Sequence, residues 1–224
     1  MKFGVFDIET APRSREEVLA CAPVFKAPAN YKDPEKIAAA IKEQEDEFVA
    51  RAALCASTGR VVAIGIRTDG VTTILGDEDG ERPMLKLFWR WVEDNVRQGR
   101  AIIGFNIARF DVPFLIRRSW AVGVRPPSGI VGAYGKLNSA FIDLMQEWQC
   151  GDRSATISLA RVCALFGLPG KNGNGKDFAA LWAENRPAAE EYLLNDIMIT
   201  TRVAERMLGV VDAEKPTLTL DGDY

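Results

Sequence analysis

Histidine is absent from this 224-residue sequence. Every mechanism that needs an imidazole, as general base, triad member or zinc ligand, is thereby excluded. Cysteine is scarce: the four, Cys21, Cys55, Cys150 and Cys163, stand far apart and form neither a CxxC pair nor a zinc-ligand spacing, so they read as free thiols. No uninterrupted apolar run reaches the roughly 18–20 residues that a bilayer-crossing helix requires. The opening segment MKFGVFDIET places two acids where a signal peptide keeps an apolar stretch. A soluble, cytoplasmic protein with no membrane partner is expected. Basic charge is not in excess either, the formal net charge being −3. The side chains left for chemistry are carboxylates, Tyr, Lys, Ser and Cys.

With 47% hydrophobic and 26% charged residues, the chain suits one compact domain, or one domain carrying an insertion. Residues 2–8 (KFGVFDI) read as a short buried strand that Pro12 stops. Residues 11–59 follow as a polar connection and then a charged, Ala-rich stretch, 33–54, that predicts one long helix. Residues 60–66 (RVVAIGI) and 71–75 (VTTIL) are β-branched runs joined by Thr68-Asp69-Gly70, a hairpin signal. Helical spacing over 83–96 leads to another short strand at 101–105 (AIIGF). Further helices are predicted at 112–122, 154–166 and 188–207, the middle one closed by Gly167 and Pro169. The Gly/Lys/Asn stretch 169–176 reads as a loop, and 212–224 as a polar tail. The expected division is a domain over 1–211, with 11–59 inserted, and the tail.

Acids recur at three places. Asp7 and Glu9 lie two apart on a strand, so their carboxylates share a face. Like charges held there raise each other's pKa unless a cation neutralises them. With only oxygen donors present, Mg²⁺ or Mn²⁺ suits such a pair better than Zn²⁺, although a solvated strand end is an equal reading. Asp111 follows the strand at 101–105 at the start of a helix, where a plain N-cap is the simpler account. Tyr192 and Asp196 are four apart on the last helix and share a face, which also fits a surface acid beside a half-buried tyrosine.

Together these segments read DxE, NxxxFD and YxxxD. DIE at 7–9, NIARFD at 106–111 and YLLND at 192–196 resemble the three motifs of the DEDD (DnaQ-like) 3′–5′ exonucleases, in the tyrosine-bearing (DEDDy) subclass that includes the proofreading domain of family B DNA polymerases. The segment SLARVCALFGLPGK, 158–171, is similar to the helix and loop between the second and third motifs in the polymerase-B-like branch. The resemblance covers about two thirds of the chain. It implies a ribonuclease H-like α/β fold: a mixed five-stranded sheet, strands one to three antiparallel, flanked by helices, here with a helical insertion after the first strand.

The resemblance assigns Asp7, Glu9, Asp111 and Asp196 to two metal ions, Mg²⁺ or Mn²⁺, and makes Tyr192 a catalytic group. A phenol of pKa about 10 is a poor base at neutral pH, so orienting the attacking water is its expected task. Asn106 and Phe110 would line the floor for the terminal nucleotide, Phe110 being equally readable as core. Thr10 would contact the same nucleotide or serve only as a strand-end hydroxyl. Asp143, in FIDLM, sits at a strand-to-helix junction outside the motifs and reads as a cap or supporting group. Arg109, Arg153, Lys171 and Lys176 are candidates for phosphate contacts.

The substrate so implied is the 3′ end of DNA, preferably single-stranded, in replication, proofreading or repair. A DNA polymerase or other replication protein is an expected partner, since no polymerase palm or fingers sequence is recognisable. An enzyme gripping a strand end through cations needs little basic surface, which accommodates the net charge. Two alternatives stand: an exoribonuclease trimming RNA 3′ ends, and a catalytically silent nucleic-acid-binding scaffold of the same fold.

Overall fold

A computed structural model describes residues 2–132, 135–170 and 178–209. The first strand, β1 (Phe3–Pro12), pairs antiparallel with β2 (Gly59–Thr68), which pairs antiparallel with β3 (Val71–Gly76). The β2–β3 turn puts Asp69 at φ 49° and Gly70 at φ 82°, the left-handed pair that a two-residue hairpin needs to match strand twist. β4 (Ala101–Gly104) lies parallel to β1, and β5 (Phe141–Asp143) parallel to β4. The order is β3-β2-β1-β4-β5, a mixed five-stranded sheet with its first three strands antiparallel, as expected.

Alternation along β1 sorts the two cores. Phe6 and Ile8 face α3 (Glu81–Arg97) and α4 (Asp111–Ala121), packing with Phe88, Val92, Val112 and Leu115. Phe3, Val5 and Ala11 face α6 (Leu159–Phe166), α7 (Phe178–Glu184) and α8 (Arg186–Leu208), packing among Val162, Phe178, Leu193 and Ile197. Helices therefore cover both faces. α8 buries Ala189, Tyr192, Leu193, Asp196, Ile197, Thr200 and Ala204, a stripe three to four residues apart. Asn185 caps its start by accepting from the Ala188 N–H, and Gly209 ends it at φ 61°.

Several boundaries differ from the sequence reading. β1 does not stop at residue 8: after a register shift between Glu9 and Thr10 it pairs on to Gly59. Pro12 sits at its last position, where a missing N–H removes no interior ladder bond. The helix expected over 33–54 is α2 (Pro34–Ala50), followed by a separate 3-10 turn at Ala52–Leu54 that turns Ala52 into the core. α1 (Arg15–Ala20) occupies the supposed polar connection, nucleated by a capping box between Ser14 and Glu17. The helix expected from 154 begins only at Leu159. Asp152 instead accepts the N–H and hydroxyl of Ser154 in a local turn, and Ser158 is the cap. α5 (Leu144–Gln149) follows the strand-to-helix junction read at Asp143, whereas α7 was not anticipated. Residues 171–176 of the predicted loop, and the tail 212–224, lie outside the described residues. Among those described, no helix is long and apolar enough to cross a membrane.

Candidate active site

The site is built where the β1–β4 ladder ends. Those strands pair only from Phe3–Ala101 to Val5–Ile103, so the second half of β1 presents its edge to whatever follows β4. Asp7 and Glu9 occupy that half, on the face shared with Val5 and Ala11 and hence toward α8.

The approach of α8 depends on a glycine. Gly65 of β2 lies opposite Asp7 in the antiparallel register. A Cβ at Gly65 would come within 2.8 Å of Ile197 and 3.1 Å of Leu193, so only a residue without a side chain lets α8 settle this deep. Asp196, between those two residues, is thereby lowered onto β1 and is only 1% exposed. Asp7, Glu9 and Asp196 each bring a carboxylate oxygen within 4.8 Å of the others.

A hard divalent cation binds oxygens at about 2.0–2.6 Å, which places two oxygens of one coordination sphere roughly 3–5 Å apart. The spread of the three carboxylates fits, and an all-oxygen set suits Mg²⁺ or Mn²⁺.

Asp111 approaches from the other side of β1. It is the first residue of α4 rather than its cap, and its Oδ1 accepts the N–H of Ile8 at 3.3 Å. The fourth acid is thus tied to the backbone between Asp7 and Glu9 without belonging to the three-oxygen group. Burial, then the charge of Asp7, push its carboxyl well above the usual carboxylate range, against the pull of its backbone hydrogen bonds.

Tyr192 lies one turn before Asp196, buried, with its ring 5.8 Å from that of Phe178. Thr10 is half-buried and alternates onto the opposite face from the acids, with Phe6 and Ile8. Phe110 is half-buried and meets the Phe114 ring at a tilt of 43°, centroids 5.4 Å apart, against the α3/α4 core.

Asn106 has φ 65°, a left-handed conformation that Asn tolerates better than most residues. The turn containing it starts at Gly104, where a Cβ would lie 2.3 Å from Ile107 Cγ2. What holds the turn is Asp143. Its carboxylate accepts the N–H of Asn106 at 2.7 Å, of Ala108 at 2.9 Å, and of Met145, as cap of α5, at 2.9 Å. The sequence reading of Asp143 as a cap or support is what these bonds describe, but its partner, the Asn106–Ala108 loop, was not foreseen. The legible signal was an acid at the end of a strand destined to lie beside β4. Arg109 and Arg153 border one cavity with Asn106, whereas Lys171 and Lys176 lie outside the described residues.

No curated protein sequence matches the chain significantly. In three dimensions it is similar to the family B DNA polymerase from the hyperthermophilic archaeon Pyrobaculum calidifontis, with TM-score 0.60 and 22% identity. The match covers 93% of this chain and 24% of the polymerase, so the chain spans about a quarter of that protein's length and the likeness is one of fold, the ribonuclease H-like arrangement. Residues 51–210, more than two thirds of the chain, match the family described as "Predicted 3'-5' exonuclease related to the exonuclease domain of PolB". That stretch holds Asn106–Asp111 and Tyr192–Asp196 but not Asp7 and Glu9, which β1 adds from outside it. The chain belongs to this family of predicted 3′–5′ exonucleases.

Proposed function

We propose that the protein is a divalent-metal-dependent exonuclease of the tyrosine-bearing DEDD subclass, hydrolysing nucleotides from the 3′ end of DNA and preferring single strands. The observation that carries this reading is the convergence of Asp7 and Glu9, from the first strand, with Asp196, from the last helix, within 4.8 Å. Three acids sharing so small and largely buried a volume repel one another, and a bound cation removes that cost.

Asp7, Glu9 and Asp196 hold the metal, with Asp111 completing the set for a second ion. Bound there, two such ions supply charge neutralisation and Lewis acidity to both sides of an in-line displacement at a phosphodiester. Tyr192 donates a hydrogen bond that orients the attacking water. Asn106, Phe110 and Thr10, from the α4 side of β1, border the terminal nucleotide, and the brace from Asp143 fixes the loop that presents Asn106 and leads to Phe110. Replication, proofreading or repair is the setting, with a polymerase or other replication protein as partner.

The test uses oligonucleotides labelled at either end, as DNA and as RNA, single- and double-stranded, with Mg²⁺, Mn²⁺ or EDTA. A 3′ label is released at once as mononucleotide, a 5′ label yields a shortening ladder, and EDTA stops both. Asp7→Ala abolishes cleavage and the rise in Tm on adding Mn²⁺, while its circular dichroism stays that of the wild type. Metal-independent digestion, or full activity in Asp7→Ala, refutes the proposal.

A further inference from the structure

The outer face of α4 carries a groove that the candidate active site does not use. Pro113, Ile116, Arg117 and Trp120 form one stripe at helical spacing, and the segment 125–131 forms the facing wall of a cavity of about 610 Å³. This cavity shares Ala108, Gly135 and Leu137 with a second one of about 680 Å³, which reaches Asn106, Arg109, Lys136 and Arg153. One continuous track therefore leads from the loop beside the candidate active site to the far end of α4.

Its lining has a specific chemistry. Trp120 is 69% exposed, although the opposite face of the same helix is packed into the core. Arg117 and Arg125 are exposed and have no ion-pair partner among the described residues. No acidic side chain among the described residues lines the first cavity. In a chain of net charge −3, this is a local excess of positive charge beside an open aromatic face. An apolar helix of a partner protein would leave both guanidinium groups uncompensated. A single nucleic-acid strand uses every part, with phosphates on the arginines and a base on the indole.

We infer that this groove carries the single strand leading to the 3′ terminus, with one base stacked on Trp120 and phosphates held by Arg117 and Arg125. The inference rests on the exonuclease reading for the direction in which the strand runs. Trp120 is nine residues along α4 from Asp111, a rise of about 14 Å. That corresponds to roughly four nucleotides at the stacked spacing of about 3.4 Å.

Binding is measured by fluorescence anisotropy of labelled dT12 in EDTA, where no turnover interferes, and hydrolysis separately with Mn²⁺ on dT12 and on a dinucleotide. Trp120→Ala weakens dT12 binding about tenfold, and Trp120→Phe restores most of it. Arg117→Glu with Arg125→Glu weakens binding at least as much and flattens the dependence of log affinity on log salt by about 0.7 for each phosphate no longer held. The same reversal at Arg90, on the exposed face of α3, leaves affinity as it was. With Mn²⁺ the groove variants lose rate on dT12 through KM, and the defect shrinks as the substrate becomes too short to reach Trp120. Wild-type affinity for dT12 in both groove variants overturns the inference and leaves the groove to a protein partner. If dT12 binds through Trp120 but is never hydrolysed, the exonuclease reading falls and the groove stands; if hydrolysis proceeds and the variants bind normally, the reverse holds.

Discussion

At Asp111, burial and the charge of Asp7 disfavour the ionised carboxyl, while the N–H of Ile8 favours it, and the first two dominate. A carboxyl whose folded pKa lies above its unfolded value of about 3.9 contributes stability in full below that value and loses it as pH rises through the folded pKa. Metal-free protein should therefore gain from Asp111→Asn, which keeps an oxygen for Ile8 and removes the charge. In EDTA the variant melts higher than wild type at pH 7, by about 2–4 °C for each kcal/mol relieved, and the difference closes as pH falls to 4. Thermal denaturation at the two pH values checks this; a variant equal to wild type at pH 7 would show that the buried charge is not strained. Tyr192 offers a separate residue-scale test. Tyr192→Phe keeps the ring against Phe178 and removes only the hydroxyl, so the exonuclease rate falls about tenfold, the equivalent of about 1.4 kcal/mol in barrier. Stabilisation by Mn²⁺ is retained in that variant, and wild-type turnover would refute the assigned role.

Among the elements, the seating of α8 on β2 decides whether the acids meet. Gly65 stands opposite Asp7, and its missing side chain is filled by Ile197 and Leu193, the residues either side of Asp196 in the buried stripe. Gly65→Val forces the helix outward. Overpacking of this kind costs about 1–3 kcal/mol, and the greater effect falls on metal affinity, because Asp196 moves away from Asp7 and Glu9. The expected outcome is a folded protein whose Tm no longer responds to Mn²⁺ at concentrations that stabilise wild type. A normal metal response would show that α8 reaches the site by another route. The β4–α4 connection is held differently, by hydrogen bonds rather than by shape. Asp143 accepts two of its N–H groups, which holds Asn106 in its left-handed turn and aims the helix that begins with Asp111.

Across the whole molecule, the two cores on either side of the sheet contrast with the segment between β1 and β2. α2 buries none of its residues, and Phe48 meets Phe25 rather than either core. Local opening free energies follow burial, so amides of Pro34–Ala50 should exchange with solvent far faster than those of β1, β4 or the centre of α8. Hydrogen exchange by mass spectrometry measures this directly, and protection of α2 equal to that of α8 would contradict it. The expected consequence is that 11–59 behaves as an insertion on a core complete without α2, as its composition implied.

Sequence alone determined the elements whose signals are local. Short apolar and β-branched runs marked β1 and β2, Asp69-Gly70 marked the hairpin, helical spacing marked α3, α4 and α8, and the spacings within DIE and YLLND put each pair on one face. It marked Pro12 as the stop of β1 but not that the strand runs on through residues 9–12, because that depends on a partner strand contributed by residues 59–61. Nor did it reveal α7, too short for periodicity to register, and it marked β5 and α5 only through the acid at their junction, Asp143, without their extents. Only the tertiary structure decided which acids share a volume. Asp196 is brought to Asp7 by the absence of a side chain on a third element, and Asp111 is bound to the backbone of β1 rather than grouped with the other three oxygens. Those relations depend on packing between segments distant in the chain, which no local pattern of residues encodes.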